Sequence, residues 1–166
     1  MILQQHERTW GDNRFLLTTE LTDVSPPLAS CSTVHCLGFD ADGRFLLARH
    51  VERDWTIPGG HRETEESAED ALRRECYEEA AAVIDDPRLF ATERVELLEG
   101  TPDPRYPQPS FQLFFVARVT RLDVLTPNEE CVESRLFSVD EARELPGWMD
   151  HNQPLFDAGL AVALAR

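Results

Sequence analysis

The chain has 166 residues, of which 31 are acidic and 16 basic, so its formal net charge is -15. With 42% hydrophobic and 28% charged residues, the composition is typical of one globular domain with a core of ordinary size. The negative charge repels nucleic acids and excludes DNA and RNA polymers as expected partners, whereas a small phosphorylated compound stays compatible because a bound divalent cation reverses the local field.

The sequence lacks the patterns of export and of membrane insertion. Its apolar run at 111–119 is too short to span a bilayer and contains Gln112 and Arg118. Polar and charged residues from His6 onward interrupt the N-terminus before a signal peptide could form. We therefore expect a cytoplasmic protein that does not enter a membrane. The four cysteines form no C-x-x-C pair, and we expect them to be buried and reduced.

The N-terminal residues have the character of an extension. Residues 14–20 predict a short strand, and the proline pair Pro26-Pro27 then breaks the chain. We expect residues 1–30 to pack on a main domain that comprises residues 31–166.

The next segment predicts a hairpin and a glycine loop. Two β-rich runs, 32–39 and 44–50, are separated by residues 40–43, whose Asp-Gly end supplies the positive φ that a hairpin turn needs. A brief strand at 55–57 leads into Pro58-Gly59-Gly60. There the proline ends ladder pairing and the glycines permit close approach of the backbone.

A helix is predicted to follow this loop. Ser67 is a good N-cap with Asp70 three residues later, and the residues through Ala82 favour helix. At helical spacing, one apolar stripe suited to packing on a sheet contains Leu72, Cys76, Ala80 and Val83.

Three glutamates, Glu75, Glu78 and Glu79, occupy the neighbouring face of this helix. Their spacing of three and four residues stacks the carboxylates together. Like charges at this spacing destabilise a helix, so we expect a compensating cation, and Mg²⁺ suits oxygen ligands best. The alternative is an ordinary solvated acidic face, with Arg74 and Glu78 as a surface pair.

The C-terminal half predicts two strands, at 89–98 and 111–120, separated by a proline-rich loop. A last strand is predicted at 132–137. Helices are predicted at 138–145, which opens with a capping box, and at 154–165.

The glycine loop and the acidic helix together resemble the box of the Nudix hydrolase family. The box extends from Gly60 to Ala82, and the residues that match it at its fixed offsets are Gly60, Glu66, Arg74, Glu75, Glu78 and Glu79. Residues 55–61 are similar to the lead-in that family members often carry, and Glu63 stands where they often have a further glutamate. Ala81 replaces the last glycine of the box, and Glu65 stands where a glycine commonly precedes the box glutamate. Without that last glycine, we expect the helical turn to continue to Val83 or Ile84 before Pro87 stops it.

This resemblance implies an α/β fold in which a mixed β-sheet lies between helices, the Nudix-type α/β/α sandwich. It also implies Mg²⁺-dependent hydrolysis of a phosphoanhydride bond, with Mn²⁺ as a possible substitute. The implied substrate is a nucleoside diphosphate-linked compound or a nucleoside triphosphate, cleaved by a nucleotide pyrophosphatase that is a monomer or a homodimer.

The resemblance further implies roles for the acidic residues. Glu75 and Glu79 would be the strongest metal ligands, and Glu78 a ligand or the base that orients water. A backbone carbonyl of Gly59 or Gly60 would complete the shell. One more glutamate is expected from the segment before the last strand, where the candidates are Glu129, Glu130 and Glu133. Glu130 is preferred because a loop residue can swing toward the metal.

Other residues are expected to support the site or to bind substrate. Arg74 would hold Glu66 through its guanidinium fork and so fix the loop against the helix. Arg49 and Arg53 either contact terminal phosphates or balance nearby glutamates at the surface. The remaining candidates for substrate contact are His61, Arg105 and Tyr106. The aromatic ring of Tyr106 could stack on a nucleobase or simply pack within its loop.

Three other functions are compatible with the sequence. A nucleotide sensor could keep the fold without turnover, although the intact carboxylates argue against it. An isoprenoid diphosphate isomerase would need additional cysteine and glutamate partners, which Cys31 or Cys36 would supply only by coincidence. A purely structural acidic domain is the third.

Overall fold

A computed structural model describes residues 1–165, and these form nine strands and three α-helices. The strands are β1 (Ile2–Trp10), β2 (Asn13–Leu21), β3 (Cys31–Phe39), β4 (Phe45–His50), β5 (Asp54–Thr56), β6 (Gly59–His61), β7 (Ala82–Glu99), β8 (Ser110–Leu122) and β9 (Cys131–Phe137). The helices are α1 (Ala68–Ala80), α2 (Val139–Arg143) and α3 (Met149–Leu164). Arg166, which ends the predicted main domain, lies outside the described residues. None of the helices in residues 1–165 is long and apolar enough to cross a membrane.

All nine strands belong to one mixed sheet. The order is β1-β2-β7-β8-β3-β4-β5, with β6 paired to β3 and β9 paired to β4. Strands β3 and β8 run parallel, and the other pairs are antiparallel. The predicted fold class, a mixed sheet between helices, is confirmed.

A separate hydrophobic cluster lies on each face of the sheet. On one face, Leu72 and Cys76 of α1 pack with Val34 of β3. On the other face, Phe156 of α3 packs with Phe45 of β4. Since successive side chains of a strand point to opposite faces, β3 contributes Cys36 to the first cluster and Leu37 to the second. All four cysteines are buried and free, as expected.

The N-terminal residues form a complete hairpin rather than the single strand predicted at 14–20. Strand β2 covers that segment, and β1 precedes it. The prediction missed β1 because most of its residues are polar and exposed, which leaves no apolar alternation to detect. Strand β2 pairs with β7 from Arg14 to Leu21, so the hairpin extends the main sheet.

The predicted hairpin of 32–39 and 44–50 forms only at its turn. Phe39 pairs with Phe45, and Gly43 adopts the expected positive φ of 75°. Beyond this pair the strands separate, because β3 continues beside β6 and β8 whereas β4 continues beside β5 and β9.

The end of α1 differs from the prediction. The helix ends at Ala80, and Ala81 adopts a left-handed conformation with φ of 51°. The chain then enters β7 at Ala82, so the expected continuation of the helix to Val83 or Ile84 was wrong. Pairing of Ala82 with Leu122 requires an extended backbone, and this tertiary pairing outweighs the preference of alanine for a right-handed turn. Glu65, the other departure from the box, also has a positive φ, of 67°.

Candidate active site

Helix α1 begins at the predicted N-cap. The Ser67 hydroxyl accepts a hydrogen bond from the Asp70 N–H at 3.1 Å and donates one to the Asp70 carboxylate at 2.7 Å. This cap fixes the start of the helix immediately after the loop that contains Glu66. The second half of α1 therefore carries its glutamates beside β6, which is formed by Gly59, Gly60 and His61.

Arg74 connects the loop to the helix. Its Nε donates to Glu66 Oε1 at 3.0 Å and its Nη2 donates to Glu66 Oε2 at 2.9 Å, which is the predicted fork. Nη2 also donates to the His61 carbonyl at 3.0 Å. Nη1 donates to Glu75 at 2.8 Å and to Glu78 at 3.1 Å. One guanidinium thus holds three carboxylates and the end of β6, and the Arg74 hydrogen bond lowers the pKa of Glu66.

Glu79 is the most deeply buried glutamate of the helix, with 3% of the residue exposed. Its Oε2 accepts a hydrogen bond from the Gly59 N–H at 2.8 Å, and its Oε1 lies 4.0 Å from Arg53 Nη2. Burial raises its pKa to about 7, although the Gly59 hydrogen bond and the Arg53 charge oppose this shift.

Glu75 lies against Gly60. A Cβ atom at Gly60 would be 2.5 Å from Glu75 Oε2, so a side chain at this position would displace the carboxylate. Glu75 is 8% exposed, and burial raises its pKa despite the contact with Arg74. Glu78 differs, because 58% of its side chain is exposed.

These residues suit a hard divalent cation. The carboxylates of Glu75 and Glu79 lie in a buried region, where the two negative charges repel each other. Carboxylate oxygens are ligands that Mg²⁺ and Mn²⁺ prefer. Within residues 1–165, no three acidic, His or Cys side chains converge as a preformed cage for a metal. The carboxylates of Glu75 and Glu79 instead accept hydrogen bonds from Arg74 and Gly59.

Of the three further glutamate candidates, Glu129 and Glu130 precede β9 and Glu133 lies within it. Glu130 acts on the box electrostatically. Its charge is among those that raise the pKa values of Glu75 and Glu79. Glu133 instead forms an ion pair with Arg49 at 3.4 Å. Glu129 is exposed in the loop beside Glu130.

Asn128 was not singled out by the sequence. Its Nδ2 donates to the Glu78 carbonyl at 3.1 Å, and its Oδ1 accepts hydrogen bonds from the N–H groups of Glu130 and Cys131. The Ser134 hydroxyl makes a similar link, donating to the Ala80 carbonyl at 2.6 Å. No local pattern marks these residues, because each contacts a helix at least 50 positions away in the sequence.

The predicted substrate arginines occupy different places. Arg53 lies next to Glu79, as given above. Arg49 pairs with Glu133 and lines a separate cleft of about 470 Å³ together with His50 and Glu52. Arg49 therefore matches the alternative in which a surface arginine balances a nearby glutamate. Of these two arginines, Arg53 is the one that approaches a carboxylate of the box.

His61 and Tyr106 come together although 45 residues separate them. The Tyr106 hydroxyl and His61 Nε2 are 2.8 Å apart, and both residues line a cleft of about 370 Å³. Arg105 lines the same cleft, but its guanidinium binds Asp103. This cleft adjoins the site through His61, whose carbonyl contacts Arg74.

Comparison with known protein families agrees with this geometry. The family model of the NUDIX domain matches residues 30–158. The chain belongs to the Nudix family. The prediction of a Nudix-type hydrolase is thereby confirmed. No significant match is found among curated proteins.

Solved structures share the Nudix fold at low sequence identity. The pyrophosphohydrolase BsRppH of Bacillus subtilis is 21% identical, with a TM-score of 0.67, and the alignment covers 95% of this chain and 97% of that one. An ADP-ribose pyrophosphatase from Streptococcus suis is 21% identical, with a TM-score of 0.54 and coverages of 79% and 90%. The NUDIX domain of Shewanella oneidensis NrtR, solved with ADP ribose, is 19% identical, with a TM-score of 0.60 and coverages of 86% and 94%.

Proposed function

We propose that this Nudix protein hydrolyses a phosphoanhydride bond in a nucleoside diphosphate-linked compound or a nucleoside triphosphate, with Mg²⁺ as its metal and Mn²⁺ as a substitute. The observation that carries this proposal is the burial of two carboxylates, Glu75 and Glu79, against the glycines of β6. Two like charges buried close together are costly, and a divalent metal would compensate both.

The proposed reaction needs a water molecule in line with phosphorus and a group that takes its proton. The water oxygen bonds to phosphorus as the bridging P–O bond breaks, and the leaving phosphate departs with the bond's electron pair. A divalent cation supplies charge neutralisation on the phosphate oxygens. Glu75, Glu79, Glu130 and a carbonyl of Gly59 or Gly60 would hold the cation. Glu78, being exposed, would be a further ligand or would orient the water.

Glu66 and Arg74 would support the site without contacting the substrate. Their hydrogen bonds fix the loop before α1 relative to the glutamates of the helix. Arg53 is the arginine best situated for a phosphate, since its guanidinium approaches Glu79. The cleft of His61, Arg105 and Tyr106 would receive another part of a nucleotide.

The wider biological setting is also a proposal. A small nucleotide fits a protein of net charge -15 better than a nucleic acid polymer does. We propose a cytoplasmic monomer or homodimer in which residues 1–30 are an extension of the Nudix domain. The ladder between β2 and β7 supports this packing.

The test is product formation from a panel of nucleotides with Mg²⁺ or Mn²⁺, with the phosphomonoesters, phosphate and pyrophosphate that form separated by chromatography. ADP-ribose belongs in this panel, because two of the similar structures carry it in their names. Glu79→Gln should abolish turnover. Glu69→Gln is the matched control, since Glu69 lies on the same helix and pairs with the exposed Arg73. Unchanged turnover in Glu79→Gln would contradict the catalytic assignment. Nucleotide binding without turnover of any compound would favour the sensor.

A further inference from the structure

The Asn128 side chain links the loop between β8 and β9 to α1, close to Glu130. Asn128 Nδ2 donates to the Glu78 carbonyl at 3.1 Å, across 50 residues of sequence. An asparagine that only shaped its own loop would bond to nearby backbone groups, as in an Asx turn. Asn128 makes those local bonds and also bridges to the backbone of the helix that bears the glutamates.

The local bonds of Asn128 fix Glu130. Asn128 Oδ1 accepts hydrogen bonds from the Glu130 N–H at 2.9 Å and the Cys131 N–H at 2.7 Å. The Glu130 carbonyl accepts from the Val51 N–H at 2.8 Å, which ties the opposite side of the loop to the end of β4. The backbone of Glu130 is therefore held on both sides, while its side chain is exposed.

Glu130 is also the loop residue whose charge acts on both Glu75 and Glu79. Its backbone must keep a constant distance from α1 for this interaction to be maintained. The Asn128 amide is the direct hydrogen-bonded link between the two elements at this point.

We propose that Asn128 is a positioning residue that holds Glu130 in place relative to the glutamate face of α1. This inference rests on the proposed function, because it acts through the metal-binding role of Glu130. Asn128 itself touches neither metal nor substrate. Loss of its amide lets the loop move away from the helix, and Glu130 then contributes less to cation binding.

The test is a double-mutant cycle on Mn²⁺ affinity, measured by titration calorimetry without substrate. Asn128→Ala should weaken Mn²⁺ binding about tenfold in the wild-type background. In the Glu130→Gln background the same substitution should change affinity by less than about twofold, because the residue through which it acts is already removed. The kcat for the nucleotide that is hydrolysed should follow the same pattern.

Two further variants keep the test decisive. Asn128→Ser retains a hydroxyl that can accept from the loop N–H groups but is too short to bridge to Glu78, so it should lose as much affinity as Asn128→Ala. Asn13→Ala is the matched control. Asn13 also bridges two distant segments through its side chain, with two hydrogen bonds to Thr101, but at the other end of the sheet. It should lower stability without changing Mn²⁺ affinity.

Equal losses from Asn128→Ala in both backgrounds would overturn the positioning role, as would wild-type affinity in Asn128→Ser. Either result leaves the proposed function intact if Glu79→Gln still abolishes Mn²⁺ binding and turnover. Failure of the proposed function has a different signature, namely unchanged Mn²⁺ binding and turnover in Glu79→Gln.

Discussion

Arg74 binds Glu66 through two parallel hydrogen bonds, from Nε to Oε1 and from Nη2 to Oε2, at 3.0 and 2.9 Å. The planar guanidinium matches the carboxylate, and its remaining donor reaches Glu75 and Glu78. The loop before α1 and the glutamates of α1 are therefore fixed by the same side chain.

Arg74→Lys should disrupt this arrangement although it keeps the charge. A lysine ammonium cannot form the fork and contact Glu75 at once. We expect kcat to fall by about 10- to 100-fold, because misplaced catalytic groups lose rate steeply. The free energy of unfolding should fall by about 1–3 kcal/mol, measured by urea denaturation.

The control is Arg73→Lys, at an exposed pair with Glu69, and it should change stability by less than about 0.5 kcal/mol. Full activity in Arg74→Lys would contradict the supporting role.

Glu79→Gln should separate metal binding from the stability of the metal-free fold. A glutamine can still accept the Gly59 hydrogen bond, and it removes a buried charge. We therefore expect the metal-free variant to be at least as stable as the wild type. Mn²⁺ at a hundred times its Kd should stabilise the wild type by about 2.7 kcal/mol and leave the variant unchanged, as measured by thermal unfolding. Equal stabilisation of both proteins would show that Mn²⁺ binds elsewhere.

Glu65→Gly should stabilise the protein. Glu65 is exposed and has a φ of 67°, a conformation that costs a residue with a Cβ about 1 kcal/mol and costs glycine almost nothing. The greater freedom of glycine in the unfolded chain offsets part of this relief, so the expected gain in the free energy of unfolding is about 0.5 kcal/mol. Glu63→Gly is the matched control on the same loop, because Glu63 is not among the positive-φ residues and the substitution there should destabilise. A loss of stability in Glu65→Gly would contradict the expected strain.

Glu93→Gln should change the pH dependence of stability. Glu93 is buried on β7, where the Thr19 hydroxyl donates to it at 2.8 Å, and burial raises its pKa above 4.5. Because the folded chain holds this proton more tightly than the unfolded chain, the stabilising contribution is complete below pH 4.5. It is lost as the pH rises through the raised pKa.

The variant should accordingly be more stable than the wild type at pH 7 and should lose this part of the pH slope, as measured by denaturation from pH 4 to 8. Glu99→Gln serves as the control for the change in net charge, since it lies on the same strand with 74% of its side chain exposed. If the free energy of unfolding of Glu93→Gln depends on pH in the same way as that of the wild type, the pH dependence arises from other groups.

Much of the site could be predicted because its signals are local. The offsets from Gly60 to Glu79 lie within one loop and one helix, and the N-cap Ser67 fixes where that helix begins. The approach of Arg74 to Glu66 follows from the same short segment, since only eight residues separate them. Helical geometry then determines which face carries the carboxylates.

The rest depends on contacts that no local pattern encodes. Ala81 is left-handed because β7 must begin immediately after the helix, against the local preference of alanine. Asn128 reaches α1 only when β9 has paired with β4, and Tyr106 reaches His61 only when its loop folds over β6. Arg49 and Arg53 are four residues apart, yet only Arg53 contacts Glu79.

The parallel pairing of β3 with β8 has a consequence for folding. Eight residues of β3 have register partners on β8, whereas three have partners on β6 and one on β4. A nascent chain that has emerged from the ribosome only as far as Gly100 therefore contains every residue of the box. It lacks β8, the main partner of β3, and β6 pairs with β3. Long-range pairing of this kind is slow to form. Catalytic competence should consequently appear only after the last third of the chain has been synthesised, and truncated products should be inactive although their signature is intact.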